Sequence, residues 1–256
     1  MPRIYPMQKY LAIINLKTAY VLILCMAVTY LCFVFNFSYT LNITLFSIAV
    51  IFPLVFTIRE AFRRRDSVIK LLSVFKSSLN ATYYCFANND KLSVQDKGFV
   101  SDQLESISVL FINALRGNDY NSDDVRSKLN EVFEFLEAHR SAISNGTALK
   151  IIKFLKDVHE SIENTVGLKM HGTPVSLRAY CLVFIYVFPL IFIPTLVQDI
   201  GTNPHWIVYS LAAIHGFILI SLYNVQDAME NPFDQIGLDD IKLEEFQFAR
   251  RETGPS

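Results

Sequence analysis

Read by polarity, the chain alternates between long stretches without charge and stretches crowded with it. From Thr18 to Ile58 there is no Asp, Glu, Lys or Arg. That run is long enough for two helices of about 20 residues each to cross a bilayer. Two more charge-free runs cover Ala179–Gln198 and Trp206–Gln226, and the second contains one ionisable side chain, His215. NFSYT, from Asn36 to Thr40, divides the first run into a hairpin, and DIGTNPH joins the other two. The pattern predicts four transmembrane helices, over residues 18–36, 41–58, 179–198 and 206–226.

Residues 59–178 carry charge of both signs, and their apolar positions recur every three or four residues. Span two runs into this segment with no intervening turn signal, through Phe62, Ile69, Leu72, Phe75, Leu79, Tyr83 and Phe86. Ser101 is the expected cap of a helix ending near Gly117. Asn121 or Ser122 caps the next, and Thr147 opens one ending before Gly167. The loops between are too short to be domain boundaries. The expected architecture is all-α and a single domain over 1–256, with the segment 59–178 packed on the extension of span two. An acidic tail, 227–256, follows span four.

Charge placement gives an orientation. Arg3, Lys9 and Lys17 precede span one, Arg59, Arg63, Arg64 and Arg65 follow span two, and Arg178 precedes span three. Basic residues at membrane edges mark the cytoplasmic side, so both termini and the large segment are expected there. The N-terminal stretch lacks the small-residue cleavage site of a secretory signal, so the first apolar segment should remain as a span. The composition, 52% hydrophobic and 18% charged with a net charge of −1, gives no electrostatic footprint for nucleic acid. The expected setting is a plasma or bacterial inner membrane.

No enzymatic motif is present: there is no GxSxG, HExxH, P-loop or GxGxxG, and no two of the five histidines are spaced i, i+4. The protein is therefore not expected to be an enzyme. The four cysteines form no CxxC and read as small apolar residues. Two features stand out. Ile48, Phe52 and Phe56 are spaced four and four, one helical turn apart on one face of span two. They are either packing for the other spans or the lining of a pore, and Pro53 beside them can kink the helix. After span four, Asn231-Pro232-Phe233 breaks the helix, and Asp234, Asp239 and Asp240 follow. Those carboxylates are either a solvated acidic tail or oxygen ligands for Ca²⁺, though their spacing fits no EF-hand loop.

The tail ENPFDQIGLDDIKLEEF, the entry to span three HGTPVSLRAY and the order of the spans resemble the bestrophins over roughly Thr18–Phe246. The resemblance implies a homopentameric ion channel, mostly anion conducting, with chloride or a similar anion as permeant ion. Span two would line its pore, and Ile48, Phe52 and Phe56 would match the three apolar rings of the family's neck. The chain departs from the family in its scattered acidic tail, where Ca²⁺-activated members carry a dense acidic run, and no cofactor is expected. It also has REAFRRRDSVIKLL where many members have a tryptophan-containing stretch after span two. A different reading is a membrane-anchored helical signalling or scaffold protein without conductance. Oligomeric state separates the two.

Overall fold

The computed structural model describes residues 14–117, 122–201, 204–234 and 240–249. Seven α-helices occur in them: α1 Leu16–Val34, α2 Ile43–Ala87, α3 Val94–Arg116, α4 Ser122–Ala138, α5 Asn145–Met170, α6 Val175–Ile200 and α7 His205–Glu230. A 3₁₀ turn, Leu243–Phe246, follows. No strand occurs among the described residues. Four of the helices are long and apolar enough to cross a membrane, including one built on each charge-free run.

The helix ends follow side-chain chemistry. Asn15 accepts the Thr18 N–H at 3.1 Å while Thr18 Oγ1 accepts the Asn15 N–H at 3.3 Å, a reciprocal cap that satisfies two orphan donors of α1. The hairpin after α1 turns at Asn36, which has φ 48°, a conformation asparagine tolerates better than most residues. Two expected boundaries are corrected. Ser93, not Ser101, caps α3, in a box with Asp96; Ser101 lies within α3, buried. Ser144 caps α5 by accepting the Thr147 N–H, and α5 runs through Gly167 to Met170. In both cases a better cap lies upstream of the first strongly apolar residues. Asn121 lies outside the described residues.

The chain packs as two compact units. The first holds α1, α2 up to Arg63, α6 and α7. Here α1 packs on α6 and α7, which also pack on each other. Val21, Cys25, Val28, Ile185, Phe188, Val208, Ala212 and Leu219 form the core.

The second unit holds the remainder of α2, α3–α5 and the described residues of the tail. Its seam is a heptad on α2: Val68, Leu72, Phe75, Leu79, Thr82 and Phe86 alternate four and three and are all at most 1% exposed. That spacing keeps one stripe of the helix facing its neighbours. Phe75 meets Phe111 of α3 with ring centres 4.7 Å apart, and Phe86 meets Phe135 of α4 edge-on at 5.9 Å. Lys169 of α5 donates to the Ala114 and Leu115 carbonyls at 3.0 Å each, and also to that of Gly117. It thereby supplies donors to carbonyls that the end of α3 leaves unpaired.

The acidic stretch after α7 is not simply solvated. Phe233, Ile241, Leu243 and Phe248 are buried in the second unit's core. The Ile241 N–H donates to the Pro232 carbonyl at 3.0 Å, and the Phe248 N–H to Ser108 Oγ at 2.8 Å. Glu244 pairs with Arg116, and Lys76 donates to the Glu245 carbonyl at 2.7 Å. Four apolar side chains of this acidic stretch thus hold it to the unit.

Candidate functional site

The apolar half of α2 presents two faces. Val50, Leu54, Thr57 and Ala61 recur at four, three and four and are at most 2% exposed. On the same side Phe46 stacks on Phe188 of α6, with ring centres 5.9 Å apart. Thr57 satisfies its buried hydroxyl locally, donating to the Leu54 carbonyl at 2.8 Å. This face attaches α2 to the bundle.

The opposite face carries the stripe. Ile48, Phe52 and Phe56 are 45%, 55% and 56% exposed, with Leu45 and Val55 exposed beside them. The three are not part of the bundle's core. The Phe52 and Phe56 rings lie 6.0 Å apart, stacked along the helix axis by its four-residue rise of about 6 Å. Pro53 is half-buried between the faces and has no N–H to offer the Ala49 carbonyl, yet α2 continues unbroken past it.

At the end of the unit that holds Arg63, three charges meet. Lys17 Nζ lies 2.8 Å from Asp227 Oδ2, and Arg178 pairs with the other oxygen of the same carboxylate. The Lys17 ammonium also sits 5.1 Å from the centre of the Tyr223 ring. One turn away, Asn224 donates to Thr18 Oγ1 at 2.9 Å and to Asn15 Oδ1 at 3.2 Å. Glu230 accepts from the Thr173 N–H at 2.6 Å and from its hydroxyl at 2.8 Å. Sequence reasoning missed this cluster, although a signal existed. Lys17, Arg178 and Asp227 are each the charge next to a charge-free run, so they had to lie at span ends.

His215 sits within the bundle, its ring 4.4 Å from that of Phe192. Its Nδ1 lies 2.9 Å from the Leu211 carbonyl, and because a carbonyl only accepts, that nitrogen must carry the proton. The cysteines are all free; Cys25, Cys32 and Cys181 are buried. Of the tail carboxylates, Asp234 is exposed, Asp240 is half-buried, and Asp239 lies outside the described residues. Among the described residues no group of three or more His, Cys, Asp or Glu is placed to hold a metal ion.

No protein-family model matches the chain, and no curated protein matches it in sequence. Its fold has counterparts among solved structures. A leucine-to-threonine variant of the bestrophin homolog from Klebsiella pneumoniae matches with a TM-score of 0.76 at 14% identity, over 90% of this chain and 94% of that one. A tyrosine-to-alanine variant of the same homolog gives the same four values. A leucine-to-alanine variant described as a membrane protein matches with a TM-score of 0.74 at 15% identity, over 90% of this chain and 94% of its own. The chain therefore has a bestrophin-like fold.

Proposed function

We propose that this chain, with its bestrophin-like fold, is the subunit of a homopentameric ion channel. α2 lines the pore, Ile48, Phe52 and Phe56 form its neck, and chloride or another small anion permeates. The observation that carries this reading is the two-faced character of α2. Its polar-poor outer stripe holds large aromatic side chains in a row while the opposite stripe anchors the helix. Four spans are too few to enclose a pore within one chain, whereas five copies of α2 around an axis would bring the stripes together.

Rings of apolar side chains gate by dewetting: narrow rings exclude water and block ions, widened ones conduct. Phenyl edges carry partial positive charge, so rings presented edge-on tolerate an anion. The basic residues at the span ends support an orientation with both termini and residues 59–178 on the cytoplasmic side, and in this reading lipid covers the remaining apolar surface of α1, α6 and α7. The reading invokes no cofactor and no catalytic group.

The test is the mass of the purified protein in detergent, followed by ion flux from protein-loaded liposomes. A pentamer that conducts is expected. A monomer or dimer, or a pentamer without flux, would sink the channel reading and leave a membrane-anchored scaffold.

A further inference from the structure

The neck face of α2 does not end at Phe56. At 100° per residue, Arg59 and Arg63 fall within about 20° of the line through Phe52, closer to its centre than Ile48 or Phe56. Both are exposed, and neither has a hydrogen-bond or ion-pair partner among the described residues. Arg64 and Arg65 point about 120° and 140° away from that line. They differ in kind: Arg64 donates to the His171 carbonyl at 3.2 Å, and Arg65 also has a partner.

The acids nearby do not cancel the pair. Glu60 is turned about 80° from the face centre. Asp66 lies on the face but is held by Lys70, also on it, at 2.7 Å. The face that begins as Ile48, Phe52 and Phe56 therefore continues as two exposed guanidiniums without a partner among the described residues, one and two turns further on.

Resting on the channel reading, we propose that Arg59 and Arg63 determine the charge sign of the permeant ion. Repeated around the axis, they form two basic rings at the cytoplasmic exit of the neck. The apolar rings themselves present only weak, orientation-dependent dipoles, whereas guanidinium keeps its charge at any working pH. A cleft lined by one sign of charge between low-dielectric walls concentrates counter-ions at its mouth. The rings thus raise the local anion concentration at the point where an ion enters or leaves the neck, and exclude cations from it. The competing role for such residues is anchoring in lipid headgroups at the membrane edge. That role requires the whole stripe, phenyl rings included, to face lipid.

The experiment measures reversal potentials in planar bilayers under a KCl gradient, using the full-length chain. Wild type should reverse near the chloride equilibrium potential. Arg59→Gln/Arg63→Gln should lower the chloride-to-potassium permeability ratio about tenfold or more, with the open channel still conducting, and Arg59→Glu/Arg63→Glu should invert it. Wild-type selectivity should also weaken as salt rises from about 0.01 to 1 M, because the Debye length shrinks from about 30 to 3 Å. Arg64→Gln, the same charge loss off the face, should leave the ratio unchanged. If the glutamate variant fails to assemble, the glutamine variant carries the test. A wild type that passes no current overturns the channel reading, and this inference with it. A conducting wild type that prefers cations overturns the inference together with the anion assignment but leaves the channel reading standing. An anion-selective wild type whose glutamine variant has an unmoved reversal potential overturns the inference alone and returns the arginines to headgroup anchoring.

Discussion

Gly216 of α7 faces Cys25 of α1 so closely that a Cβ on the glycine would lie 2.6 Å from the cysteine sulfur and 3.3 Å from a Val21 methyl. Close approach through small residues is how helices gain contact in a membrane, where lipid competes for apolar surface and burial alone gives no preference. This contact lies where α1 meets α7 in the first unit.

Gly216→Ala should therefore destabilise the protein by about 1–3 kcal/mol, the usual cost of an overpacked core. Adding Cys25→Ala removes the sulfur and should recover much of the loss, so the double variant should be less destabilised than the sum of the two single ones. Thermal unfolding in detergent measures it. Additive effects would mean that some other contact limits the approach.

The neck predicts a contrast between faces of one helix. Phe52→Ala should leave oligomer and melting temperature nearly unchanged and increase liposome flux, and the Ile48→Ala/Phe52→Ala/Phe56→Ala triple variant should conduct without closing. Phe46→Ala, which removes the ring stacked on Phe188, should instead cost about 2–4 kcal/mol and leave flux per folded oligomer unchanged. Flux that rises equally for Phe46→Ala and Phe52→Ala would place the pore lining elsewhere.

The tail should behave as a structural clasp. Phe233 is 1% exposed, and Phe233→Ala should destabilise the second unit by about 3–5 kcal/mol. Asp234→Asn, at an exposed position, should change stability by about 0.5 kcal/mol or less. A Ca²⁺ chelator should shift neither the melting temperature nor the flux. A chelator effect abolished by Asp234→Asn or Asp240→Asn would establish a cation site.

The cap of α3 carries a pH signature. The Ser93 hydroxyl, 2.7 Å from Asp96 Oδ2, holds that carboxyl below its usual range, and the Ser93 N–H adds to the effect. A depressed carboxylate contributes stability that is present above its unfolded value, about 3.9, and is lost as pH falls through the folded one. Hydrogen-exchange protection of the first turn of α3 should therefore decline in that acid window. Ser93→Ala should raise the Asp96 titration midpoint towards that of a free side chain. An unchanged midpoint would mean that the box does not form in solution.

What the sequence determined follows from costs that each residue bears alone. A charge in hydrocarbon is expensive wherever the helix sits, so the charge-free runs marked α1, the apolar part of α2, α6 and α7 before any packing was known. Periodicity likewise marked the passage of span two into a charged helix, since Leu72, Phe75 and Leu79 need a common face whatever covers it. The four-and-four spacing of Ile48, Phe52 and Phe56 fixed that they share a face. Tertiary structure alone decided which face. Helix geometry puts Arg59 and Arg63 on that same face, but only the packing of Val50 and Leu54 into the bundle leaves the whole face outside it. The same holds for the meeting of Lys17, Arg178 and Asp227, and for the burial of Phe233 and Phe248. These relations join residues far apart in the chain, and their energies depend on distances that local pattern does not encode.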